Sequence, residues 1–95
     1  MTVLFERTAS HIDITSGYIY QGSTVKIYTD NSTTLTGSII QPTPSYKITG
    51  YIKNPSGTTV ASFNNVTSYS VNLDVSDYKY VTIYATPGYK IDLTW

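Results

Sequence analysis

Apolar residues recur at every second position along most of this chain. Tyr46, Ile48, Gly50 and Ile52 share one parity, while Lys47, Thr49, Tyr51 and Lys53 hold the other. Val81, Ile83 and Ala85 alternate with Tyr80, Thr82 and Tyr84, and Tyr89, Ile91, Leu93 and Trp95 alternate with Lys90, Asp92 and Thr94. A period of two puts successive side chains on opposite faces of a strand, so each run predicts a strand with one buried face. Further alternations occur at Val3 and Phe5, Ile12 and Ile14, Val25 and Ile27, and Tyr69, Val71 and Leu73, with a weaker candidate from Leu35 to Ile40. No stretch keeps a helical apolar face, because Gly, Pro, Asn or Ser-Thr clusters interrupt every one.

Turn chemistry divides the strands. Asn54-Pro55-Ser56-Gly57 fits a type I turn, with Asn first, Pro setting φ at the second position and Gly fourth, and Thr58 to Phe63 is the expected hairpin partner. Asn64-Asn65, Ser76-Asp77 and Pro87-Gly88 mark further turns, and Pro42 and Pro44 end the run before them. The pattern predicts one all-β domain over residues 1–95: an antiparallel β-sandwich of about 7–9 short strands, with Trp95 closing one end of the core.

Residues 46–86, YKITGYIKNPSGTTVASFNNVTSYSVNLDVSDYKYVTIYAT, resemble the middle of a fibronectin type III or related immunoglobulin-like domain. The likeness lies in a strand, a Pro-Gly hairpin, a Ser-Tyr-x-Val-x-Leu strand and a Tyr-rich strand ending in Ala. It implies an immunoglobulin-like sandwich serving as a binding or structural module. Two family features differ here: Leu73 stands five residues before Tyr78 and seven before Tyr80, and the single Trp is residue 95 rather than part of an early core strand. The segment ATPGYKIDL is also similar to a stretch of βγ-crystallin-type domains, with DYKYVT where their calcium-binding box falls and only Asp77 and Thr82 agreeing with it.

Composition narrows the function classes. Six basic residues balance six acidic ones and only 13% of the chain is charged, so long-range attraction to nucleic acid or an anionic membrane is not expected. The absence of cysteine removes disulfides and thiolate chemistry. His11 is the single histidine, which cannot by itself form a triad or supply a zinc site. The carboxylates Glu6, Asp13, Asp30, Asp74, Asp77 and Asp92 fall beside turns or on polar strand faces, with Asp74 and Asp77 the one pair spaced for a weak calcium site. Asn31 and Asn65 fit the glycosylation acceptor pattern, which a Ser/Thr-rich chain produces often by chance. Neither an enzyme nor a cofactor or metal dependence is expected.

What stands out is tyrosine, ten in 95 residues. Tyr78, Tyr80 and Tyr84 share a parity and are expected to share an exposed sheet face with Tyr28 or Tyr51, a surface suited to a protein interface or to stacking on sugar rings. Tyrosine is also a good strand former in its own right.

The N-terminal stretch lacks the basic and apolar regions of a secretory signal, and no run is long and apolar enough to span a bilayer as a helix. If Met1 is the natural start, a surface-like composition without an export signal fits a phage virion protein released by lysis. If the chain is an excised domain, an extracellular or cell-surface location fits equally. The expected function is a non-catalytic structural module of a bacteriophage virion, a head decoration or tail accessory protein. Such a module acts through self-assembly or contacts with other virion proteins. The alternative is a carbohydrate-binding or adhesin-like module using the tyrosine face.

Overall fold

The computed structural model describes residues 2–7, 11–13, 23–41, 43 and 45–95. Nine strands are present among them: β1 (Thr2–Arg7), β2 (His11–Asp13), β3 (Ser23–Ile27), β4 (Thr34–Ile40), β5 (Ile48–Lys53), β6 (Thr59–Val66), β7 (Ser68–Asp74), β8 (Val81–Thr86) and β9 (Lys90–Thr94). They form a five-stranded sheet of order β1-β3-β8-β5-β6 and a four-stranded sheet of order β2-β9-β4-β7. Every pairing is antiparallel except β1 with β3.

Alternation explains the layers. Val25, Ile27, Ile48, Ile52, Phe63, Val81, Ile83 and Ala85 from the larger sheet meet Leu35, Ile39, Val71, Ile91 and Leu93 from the smaller in a single buried cluster. The antiparallel sandwich expected from the sequence is therefore the fold. Tyr89 lies wholly inside, and half-buried Trp95 packs against the same core. Tyr46 breaks its expected parity: it precedes β5 and is 59% exposed. The alternations at Val3 and Phe5 and at Ile12 fall on β1 and β2, and Ile14 lies outside the described residues.

The strand order departs from what the family resemblance implies. An immunoglobulin-type sandwich pairs several strands with their immediate sequence neighbours. Here only β5 and β6 do so; every other connection carries the chain across to the opposite sheet. Strands β2 to β9 instead follow the order of a jelly roll, two Greek keys wrapped into two four-stranded sheets, with β1 added in parallel on β3.

The β5–β6 hairpin forms as its turn residues dictate. Gly57 N donates to Asn54 O at 3.0 Å, and the Asn54 side-chain oxygen accepts from Ser56 N, Ser56 Oγ and Thr58 N. Asn64-Asn65, expected to be a turn, is instead a bulge within β6. Asn65 adopts φ of 57°, and Ile48 pairs with Val66 whereas Gly50 pairs with Phe63, so β6 spends an extra residue there. Asn tolerates this left-handed backbone well, so the same residue type serves a turn or a bulge.

Candidate functional site

The outward face of the larger sheet carries the aromatic side chains. Cross-strand register sets its rows. Thr24, Tyr84, Tyr51 and Ser62 are successive partners across β3, β8, β5 and β6, and the next row runs Lys26, Thr82, Lys53. Beyond it Tyr28, just after β3, meets Tyr80, just before β8.

Tyr51 and Tyr84 are stacked, with ring centroids 5.5 Å apart and planes at 28°. Tyr28 and Tyr80 lie 5.6 Å apart at 51°. Lys26 Nζ sits 4.9 Å from the Tyr80 ring centroid and 5.6 Å from that of Tyr28, while Lys53 Nζ is 4.6 Å from Tyr51. Tyr80 and Tyr84 are four residues apart on one strand line, which separates the two aromatic pairs by about 13 Å at roughly 3.3 Å per residue. The result is a band of two tyrosine pairs flanking a lysine-threonine row, all half-buried and held by ring–ring and cation–π contacts. Such prior ordering lowers the entropic cost of binding a partner.

Four of the five expected tyrosines are thus brought together, and Tyr78 is not. Its carbonyl accepts from Thr29 Oγ1 and Asn31 N, its own N–H donates to Val75 O, and its ring packs against the core. Strict alternation ends where the strand ends, so Tyr78 does not keep the parity of Tyr80 and Tyr84. Lys26 and Lys53 belong to the face but were not anticipated there. Each sits two positions from a face tyrosine, which was a usable signal once the strands were known to be neighbours.

The face offers hydroxyls, π-surfaces and two ammonium groups, and no carboxylate or imidazole among the residues named. No cavity and no group of three or more metal-ligating side chains is found among the described residues. The Asp74 carboxylate is engaged in its own turn, where Oδ1 accepts from Ser76 Oγ at 2.6 Å and Ser76 N at 3.0 Å. Asn31 Nδ2 donates to Ser76 O.

The Ser76 hydroxyl and then its backbone N–H hold Asp74 below the ordinary aspartate range. Because the charged form is favoured in the folded state, this contribution is present above the unfolded pKa and fades as pH falls through the folded one. In an NMR titration Asp74 should have a depressed midpoint, and Ser76→Ala should raise it. An unchanged midpoint in that variant would assign the shift to some other group.

No protein-family model, curated protein or solved structure matches this chain.

Proposed function

We propose that this protein is a non-catalytic interaction module, a phage virion component of the head-decoration or tail-accessory kind, acting through protein–protein contacts. The observation that carries the reading is the ordered band of Tyr28, Tyr80, Tyr51 and Tyr84 on the outward face of the larger sheet. Tyrosine supplies large contact area with little side-chain entropy to lose, and it is enriched at the energetic centres of interfaces. Lys26 and Lys53 laid along the rings add apolar stem as well as charge. The strand order supports the reading by analogy only: jelly rolls occur in viral capsid proteins, and also in lectins.

The immunoglobulin-like affinity of the sequence belongs to this proposal as a likeness of local strand and turn pattern. A glycan-binding role is the second reading, favoured by Ser62 lying opposite Tyr51 and by Thr82 standing between the two tyrosine pairs in the lysine row, which puts hydroxyls beside the rings.

The test is co-sedimentation of the purified chain with particles of the phage that encodes it, alongside a glycan and cell-wall array. The virion reading expects saturable particle binding, weakened about tenfold or more by Tyr51→Ala combined with Tyr84→Ala. A strong array signal lost in the same variant, with no particle binding, would replace it with the glycan reading.

A further inference from the structure

Every open sheet presents two edges, and among the described residues the four edge strands, β1, β6, β2 and β7, are unequally defended. The edge β1 contains a register shift between Val3 and Glu6 and carries Glu6 and Arg7 in its sequence. Edge strand β2 pairs over only three residues. Edge strand β6 has two register shifts, one at the left-handed Asn65. Bulges, charges and shortness are the usual means of preventing strand-to-strand association. Edge strand β7 has neither a bulge nor a short span, and its single charge stands at its end. It runs seven residues, SYSVNLD, in unbroken register with β4 and holds no Lys, Arg or Pro.

The hydrogen-bond parity of β7 follows from its two ends. Gln41 N donates to Thr67 O, and Val75 N donates to Thr33 O. Odd-numbered residues from Thr67 to Val75 therefore face β4, and the backbone groups of Ser68, Ser70, Asn72 and Asp74 point away from it. The side chains of these four residues are exposed, while Tyr69 and Leu73 on the inner face are half-buried.

We propose that β7 pairs antiparallel with β7 of a second copy of this chain, about a two-fold axis at Val71. This register alone matches all four outward-facing residues: Ser68 with Asp74 of the other copy, Ser70 with Asn72, and the reciprocal pairs. It forms about eight inter-chain hydrogen bonds. The outer-face pairs are Ser–Asp and Ser–Asn, both able to hydrogen-bond, and the two Asp74 carboxylates lie at opposite ends. On the inner face Tyr69 meets Leu73 and Val71 meets Val71, extending the apolar layer across the junction. The pairing is isologous and closes on itself, as a two-fold interface must. It uses a different surface from the tyrosine band and stands whichever partner that band takes.

Light scattering after size exclusion, over about 1 µM to 1 mM protein, tests the pairing. Wild type should rise from monomer to twice the monomer mass and stop there, with the Ser70 and Asn72 amides gaining exchange protection as it does. Ser70→Lys with Asn72→Lys places like charges opposite each other twice and should weaken the dimer about tenfold or more. Ser70→Lys with Asn72→Glu makes both pairs complementary and should restore it, a pattern that only this register gives. All these side chains are exposed, so the thermal midpoint of the dilute monomer should not change.

A strict monomer at the highest concentration would overturn the proposal and leave this edge to a strand of another protein. Growth beyond the dimer would overturn it too. A dimer lost in Tyr84→Ala but kept in the double-lysine variant would place the copies face to face and would equally sink edge pairing.

Discussion

Gly50→Ala is expected to destabilise the protein by about 3 kcal/mol, although alanine is ordinarily the better residue within a strand. Gly50 lies in β5 opposite Ala85 of β8 on one side and Phe63 of β6 on the other. A Cβ there would collide with the Tyr84 carbonyl oxygen and stand 2.7 Å from Ala85 Cα and 2.9 Å from Ala85 Cβ. The first two are backbone atoms of a central strand, which cannot rotate away as a side chain does. Relief requires β5 and β8 to separate, opening the seam that also aligns Tyr51 with Tyr84. Urea unfolding of the variant should show a lowered midpoint with an unchanged slope. A loss under about 1 kcal/mol would mean that the two strands give way far more easily than close packing allows.

The second large effect is at Tyr89. Its ring is fully buried, and its hydroxyl donates to Ile83 O at 3.1 Å, tying the start of β9 to β8 in the other sheet. Tyr89→Ala should cost about 3–5 kcal/mol, the range for emptying an aromatic site in a core. Tyr89→Phe keeps the ring and removes this one hydrogen bond, at about 1 kcal/mol.

Burial first, then the neighbouring Tyr84 and Tyr51 phenols when ionised, pushes the Tyr89 phenol well above its ordinary value. Raised in the folded state, it contributes stability that is complete below the unfolded value of about 10 and is lost as pH rises beyond it. Alkaline titration followed by phenolate absorbance should leave Tyr89 un-ionised until the protein unfolds, and Tyr89→Phe should remove that late step. The same absorbance curve in wild type and Tyr89→Phe, apart from its amplitude, would contradict the buried placement.

Strand existence was legible in the sequence because burial writes itself as parity. In β8 and β9 the alternating residues fall inside and outside as the spacing predicts. In β4 the signal was weak for a physical reason. Gly37, at φ of 139°, occupies a core-side parity position between Leu35 and Ile39 yet presents no side chain there. Turn chemistry was legible at Asn54 to Gly57, where the residue types suit one geometry, and ambiguous at Asn64-Asn65, where a bulge satisfies the same preference.

Strand order was not legible. Local strings such as SYSVNL specify a half-buried strand in any sandwich, and nothing within them says which distant strand lies alongside. The candidate site inherited both properties. Tyr51, Tyr80 and Tyr84 are marked by parity, and Tyr28 continues that of β3, whereas Tyr78 is decided by the loop contacts with Thr29 and Asn31. The unguarded edge was beyond reach until the order of the sheets was known, since an edge is a property of neighbours.

The crossing connections have a consequence for how the chain acquires its shape. In the smaller sheet β9 lies between β2 and β4, and in the larger β8 lies between β3 and β5. The two strands synthesised last within this domain therefore fill the middle of both layers. Until they emerge from the ribosome, β2 has no partner among the described strands and β3 is separated from β5. The early segments cannot close a stable half and must await a single late collapse dominated by contacts distant in sequence, a topology that folds in roughly milliseconds to seconds. Shortening the domain by β8 and β9 removes the centre of each sheet rather than trimming an edge.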